Sequence, residues 1–416
     1  MLAVGFGVNL LITFSGILLL PYIQWLAPLP EWILSEYKVA FLIALVMPLV
    51  LTPFLMLRTL LEADQRGYWV NIILAMQSLV TTGAAVGLAI YDYRLPGQAL
   101  ASVAGTCIQA VLLLGLTTRL YHQFFPGQLH WPDVVAIYRR ASELFLLSIL
   151  GGISARLEIL VVNFFVGVES TAEYSLGQRL FQIYSGLVIA IGNSLWPFAA
   201  SLFCGPDHQR FQNHITSSIY LTLWLGVAGS VAIFPLTPAF LTLWVGSGYD
   251  PDLLTRLGFA ISFPCLGVNV LLTWILSSTG HIRIMYFITT TYFVMTSLAT
   301  VSLGSWLGSG GVAIGTAAGI AVASAVSLWT ASSALQLPLR NLVLRCSELA
   351  LGGLIIGHSF SLFVSLFSNI NWFMLILLLA SGWASYLLIT WFVVLPRTDR
   401  QALLARLTRR RAAGSS

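Results

Sequence analysis

Gly97-Gln98-Ala99-Leu100-Ala101-Ser102-Val103-Ala104-Gly105 and Gly311-Val312-Ala313-Ile314-Gly315-Thr316-Ala317-Ala318-Gly319 read as one passage written twice. The glycines at both ends coincide, as do two alanines. The remaining changes are mostly small for small or Leu for Ile. Small residues let apolar helices approach closely, which accounts for each glycine taken singly. It does not account for the recurrence. Each passage opens a long apolar run, and the second lies six runs after the first. A second match lies upstream at nearly the same offset. Pro48 and Pro264 each enter an apolar run that ends in a short basic turn, Gln65-Arg66-Gly67 and Gly280-His281-Ile282-Arg283. An even offset preserves orientation, so the halves read as parallel repeats about an axis along a membrane normal.

Working outward, twelve apolar segments cover the chain: 2–26, 39–61, 68–91, 96–118, 143–166, 172–203, 214–244, 254–277, 284–306, 311–335, 346–367 and 372–395. A helix needs about 20 apolar residues to cross a bilayer. The 416 residues are 58% hydrophobic and 8% charged, against about 25% charged in a soluble domain. That composition excludes a cytosolic enzyme, a secreted disulfide scaffold and a disordered chain. It predicts an all-α polytopic membrane protein of about 12 transmembrane helices. Barrel strands would alternate in polarity over about 10 residues, and these runs are continuous. Prolines within them are tolerated in a bundle, because neighbouring helices satisfy the freed carbonyls. Cys107, Cys204, Cys265 and Cys346 have no metal or redox spacing. His281 and His358 have no ligand partners at metal spacing, so neither a metal site nor a cofactor is expected.

The net charge of +5 reads as membrane sorting, not as nucleic-acid binding. With the N-terminus inside, the inner loops hold Arg58, Arg66, Arg119, Arg139, Arg140, Arg210, Arg283, Arg340 and Arg345. The tail adds Arg397, Arg400, Arg406, Arg409, Arg410 and Arg411. The outer loops hold only Lys38, Arg94 and Arg256, with Glu31, Glu36, Asp92, Glu169, Glu173, Asp250 and Asp252. Both termini are therefore expected in the cytoplasm. The outer loops are too short for a catalytic domain.

Three charges fall inside spans: Arg156, Glu158 and Arg179. Each costs at least ~2.5–3.5 kcal/mol at a helix centre, so such groups face a partner or a wet cavity. Counted from the apolar edges at about 1.5 Å per residue, Glu158 and Arg179 come to matching depth, which predicts a structural ion pair. Arg156, two residues from Glu158, points to another side of its helix and is expected to face a cavity and an anionic head group. Asn163, Gln178 and Asn193 read first as hydrogen-bonding glue between helices, with Asn163 and Gln178 as weak substrate contacts.

The stretch Arg156-Leu157-Glu158-Ile159-Leu160-Val161-Val162-Asn163-Phe164-Phe165-Val166-Gly167, followed by Ala172-Glu173-Tyr174-Ser175-Leu176-Gly177-Gln178-Arg179-Leu180, resembles the polysaccharide transporter family of the multidrug/oligosaccharidyl-lipid/polysaccharide exporter superfamily. In that family an acidic residue precedes an aliphatic run, a Gly turn and a Tyr-Ser pair; Glu158 stands where an Asp is commoner. Leu61-Glu62-Ala63-Asp64-Gln65-Arg66 and Leu276-Ser277-Ser278-Thr279-Gly280-His281 resemble its two equivalent inner turns. The likeness covers roughly residues 1–336.

The resemblance implies two lobes around a central cationic cavity. Residues 1–118 would form a partial N-terminal lobe of four helices, matching the family's third to sixth. Residues 119–142 would be a cytoplasmic connector, 143–336 a six-helix C-terminal lobe, 337–395 an extra helix pair and 396–416 a basic cytoplasmic tail. It further implies a flippase of the bacterial inner membrane for an undecaprenyl-pyrophosphate-linked oligosaccharide, working among membrane lipids beside a glycan polymerase or glycosyltransferases of O-antigen or polysaccharide synthesis. Two rivals remain open. A cation-coupled multidrug exporter of the same superfamily would need acidic cavity residues, of which only Glu158 is available. A glycan polymerase or ligase would need a large polar outer loop.

Overall fold

The computed structural model describes residues 2–22, 31–64, 66–121, 131–203, 205–367 and 369–393. Within them every regular element is helical. In chain order these are α1 (Leu2–Leu19), a 3-10 turn (Leu20–Tyr22), α2 (Glu31–Ala63), α3 (Gly67–Ile90), α4 (Arg94–Leu120), α5 (Trp131–Phe165), α6 (Val168–Phe203), α7 (His208–Val245), α8 (Leu253–Ser278), α9 (Ile282–Leu335), α10 (Leu339–Val364) and α11 (Trp372–Val393). Seven of the described helices, α3, α4 and α7 to α11, are long and apolar enough to cross a membrane. The chain has an all-α polytopic membrane fold.

The 54 residues of α9 would reach roughly 80 Å if straight, more than twice a bilayer's hydrocarbon core of about 30 Å. They do not run straight. Gly308 breaks the run at φ 63°, ψ −142°, a region that glycine adopts without a Cβ penalty. Beyond it, Gly311 packs on Leu303, Gly315 on Ala299 and Gly319 on Thr296. Advancing along the second arm meets earlier residues of the first, so α9 is an antiparallel hairpin of two spans. This accommodates the ninth and tenth apolar segments in one continuous element. Two other expected boundaries move. Residues 131–142 of the expected connector already belong to α5, and α6 begins at Val168, four residues before its apolar segment.

The chain divides into two compact units, Met1–Leu144 and Phe145–Ser416. In the first, α4 packs against both α2 and α3, and α1 lies on α2. Leu61, Val70, Ile73 and Leu113 form its buried centre. Gly105 approaches α3 so closely that a Cβ there would overlap Thr81 and crowd the Gln77 carbonyl. The repeated passages thus do the same job in each unit: Gly105 seats α4 on α3 as Gly319 seats the second arm of α9 on the first. Charge pairs gather at the helix ends. Asp64 accepts from Arg66 and from the Tyr121 hydroxyl at 2.7 and 2.6 Å, with Arg58–Glu62 beside them. At the opposite end Arg94 reaches Asp92 and Glu36.

In the second unit α7 is the hub, touching α6, α8, α10 and α11. Its 38 residues continue through Pro235 and Pro238, and α8 continues through Pro264. One core runs through α7, α8 and α9 around Ile215, Ile219, Leu271 and Leu272. A second joins α5, α6, α8 and α9 through Val161, Tyr174, Phe259 and Val312. The last pair packs on α7 through Leu236, Phe360, Val364 and Leu378. Many hydroxyls within the helices bond to their own backbone, as Ser154 donating to the Leu150 carbonyl and Thr237 to that of Ile233. Cys107, Cys265 and Cys346 are free thiols, and Cys204 lies outside the described residues.

Candidate functional site

The turn between α5 and α6 fixes the site. Val166 and Gly167 both donate their amides to the Val162 carbonyl, and Gly167 sits at φ 113°. The Thr171 hydroxyl closes the turn onto the Gly167 carbonyl. So short a connection makes α5 and α6 antiparallel neighbours, with depth in each set by distance from Gly167. Glu158 lies about 13 Å back from it along α5; Tyr174 lies about 10 Å and Gln178 about 16 Å along α6. Tyr174 and Gln178 are four apart and share a face, and Glu158 falls between them in height.

Both meet it. The Tyr174 hydroxyl donates to Oε2 of Glu158 at 2.6 Å, and the Gln178 amide donates to the same oxygen at 2.9 Å. All three side chains are buried, Glu158 to 8% exposure. Thr316 approaches the Tyr174 hydroxyl and shares a hydrogen bond of 3.1 Å with Thr300 across the α9 hairpin. Phe259 of α8 closes the site edge-on to the Tyr174 ring at 4.9 Å. The repeated passage therefore contributes Thr316 directly to this polar cluster.

The ion pair expected between Glu158 and Arg179 is absent from the described ion pairs, and Arg179 is exposed. Arg179 follows Gln178 by one residue, hence by about 100° around α6, and so points away from the face that meets the carboxylate. Gln178 serves as interhelical glue, bonded to Glu158. Arg156 is exposed on α5 and Asn163 is half-buried; no hydrogen bond joins either to the Glu158 cluster. The side chain of Asn193 lies outside the described residues. Tyr174 is the member that sequence reasoning missed, although its i, i+4 relation to Gln178 was available to find it. Among the described residues no three His, Cys, Asp or Glu side chains gather as a metal site would require.

With this geometry in hand the molecule is a polytopic helical bundle whose second unit encloses a buried carboxylate. Its fold is that of known transporters. It superposes on the lipid II flippase MurJ in an inward closed conformation with a TM-score of 0.70, at 14% identity over 94% of this chain and 84% of that one. It superposes on a multidrug resistance MATE family transporter of the MOP superfamily, inward-facing, with 0.66, at 13% identity over 82% of this chain and 80% of that one. For a mutant of the Vibrio cholerae MATE transporter VcmN the score is 0.63, at 16% identity over 80% of this chain and 78% of that one. No protein-family model matches the chain, and no curated protein matches it by sequence. At these identities the likeness is one of fold, and the polysaccharide branch expected from the sequence is a finer assignment than it carries.

Proposed function

We propose that the protein is a flippase or exporter of the MOP type, moving an undecaprenyl-pyrophosphate-linked oligosaccharide across the bacterial inner membrane for polysaccharide or O-antigen synthesis, with Arg156 in contact with the anionic head group. The observation that supports this is the exposure of Arg156 on an apolar helix, about 14 Å from the end of α5 at Phe165 and therefore near mid-membrane. A guanidinium facing lipid at that depth is costly, so its side of α5 reads as wet. Its planar fork suits the paired oxygens of a pyrophosphate. Glu158, turned to the other side of α5, leaves that charge unopposed. Alternating access would rock one lobe against the other. The reading makes the protein a transporter and not an enzyme, with glycan polymerases or glycosyltransferases as pathway partners.

The test is export of the lipid-linked glycan by Arg156→Ala in cells lacking the native flippase. Truncating one side of a buried charge pair costs about 2 kcal/mol or more, at least ~30-fold in affinity. Export should fall by that factor while the protein accumulates normally, and Arg156→Lys should retain part of it. Export by Arg156→Ala at wild-type rate and abundance removes Arg156 from the reading.

A second reading, a cation-coupled exporter, has one observation in its favour. Glu158 is buried with two neutral donors and no cation among its hydrogen-bond partners. An ionisable group held so within a membrane is placed to take up a proton or metal cation. Glu158→Gln should then remove the dependence of transport on an ion gradient, which Arg156→Ala leaves in place.

A further inference from the structure

Tyr184 occupies an unusual position between three helices. It lies on α6, ten residues beyond Tyr174, and its ring is seated against Gly229 of α7, where any Cβ would overlap it. Its hydroxyl donates to the Leu225 carbonyl of α7 at 2.6 Å. That carbonyl is the normal i−4 acceptor of the Gly229 amide, and the Gly229 amide also interacts with the same hydroxyl. The side chain thus enters the backbone ladder of α7, one of the recognised origins of helix bending. The second hydrogen bond to Tyr184 comes from α11: Nε1 of Trp383 donates to its hydroxyl at 2.9 Å.

The same stretch of α7 is weakened and gripped nearby. Pro235 and Pro238 supply no amide to the carbonyls four residues before them. Gly226 meets the backbone of Pro264 in α8 so closely that a Cβ would crowd it. Trp224 donates to Thr390 of α11 at 2.6 Å, and Gly353 of α10 packs on Val227. Part of the contact of α10 and α11 with α7 thus falls on residues 224–229, beside the entry point of Tyr184, and the rest lies farther along at Leu236.

We propose that Tyr184 and Trp383 form a latch by which the last helix pair controls bending of α7 at Leu225–Gly229. With the latch closed, α6, α7 and α11 move as one body. With it open, the Leu225 carbonyl keeps only its ladder bond and α7 flexes independently between Gly226 and Pro238. The device goes beyond the transport reading and is independent of which substrate is carried.

The test is amide hydrogen exchange on the full chain in lipid nanodiscs, followed over residues 222–232. Trp383→Phe removes the indole N–H together with the smaller ring of a side chain already 40% exposed, so the fold is retained. The loss of one neutral hydrogen bond should speed exchange in α7 by about 2- to 10-fold, although the substitution lies on α11. Tyr184→Phe should do the same or more, and adding Trp383→Phe to it should speed α7 no further. Faster exchange confined to α11 in Trp383→Phe, or additive effects in the double variant, would overturn the latch. Should Tyr184→Phe fail to accumulate, Gly229→Ala, which displaces the same ring, replaces it in the comparison.

Discussion

Glu158 is stabilised by a phenol and an amide, and the consequence is measurable at each. A hydrogen bond to a charged group contributes about 1.5–3 kcal/mol, a neutral one about 0.5–1.5. Tyr174→Phe should therefore lower the unfolding free energy in detergent by roughly 1–3 kcal/mol, with Gln178→Leu behaving similarly. Because Tyr174 and Glu158 share a bond of 2.6 Å, Tyr174→Phe and Glu158→Gln should be non-additive. Arg179→Gln and Glu158→Gln should instead add to within about 0.5 kcal/mol, since the exposed guanidinium belongs to another face of α6. A double-mutant cycle with strong coupling between Arg179 and Glu158 would restore the ion pair and sink this assignment. The pair was misplaced for a definite reason. Glu169, Ser170 and Thr171 are polar, so hydropathy starts the segment at 172, whereas α6 begins at Val168. That moves Arg179 by about 6 Å, but rotation decides the partner: Gln178, about 1.5 Å from Arg179 in height and about 100° around α6, is the residue that faces Glu158.

Elements were legible where side-chain size alone dictates the contact. The nine-residue passage recurring at 97–105 and 311–319 announced its role, because only a residue without a Cβ fits against a helix backbone that close. Gly319→Ala would press a methyl into the Thr296 backbone, which has no flexible end to give, and should cost about 1–3 kcal/mol. Gly115→Ala in α4 meets open space and should be neutral or stabilising by up to about 1 kcal/mol. Thermal unfolding of the two variants checks both; equal gains would mean that helix propensity, not close packing, governs these positions. The α9 hairpin was legible as a break between the segments 284–306 and 311–335, because Gly308-Ser309-Gly310-Gly311 is a loop-type cluster. What the cluster does not tell is which residue turns the chain, and in the structure Gly308 is the one that leaves the helical region. The Tyr184 contact with α7 was not legible at all, since it joins residues 41 apart that no periodicity relates.

At the scale of the whole molecule the remaining question is which end of each helix faces the cytoplasm. Charge separation within the units bears on it. Arg58, Arg66 and Arg119 belong to the end of the first unit where Tyr121 meets Asp64, while Glu36, Asp92 and Arg94 meet at the other. Positive residues near short loops remain in the cytoplasm, which predicts the Tyr121 end inside. In the second unit the same rule predicts the turn at His281 and Arg283 inside, and the Gly246-Ser247-Gly248 turn outside. These two turns flank α8, whose 26 residues span about 39 Å, more than the hydrocarbon core. They must therefore lie on opposite faces whichever way the protein is inserted. Ser247 is exposed between two positive-φ glycines, and Ser277 is exposed in the last turn of α8. In a cysteine-free background, Ser247→Cys should react with a membrane-impermeant maleimide in intact cells, and Ser277→Cys only after permeabilisation. The reverse pattern would invert the topology and place Arg397 to Arg411 outside. Labelling of both in intact cells would show that α8 does not span the membrane.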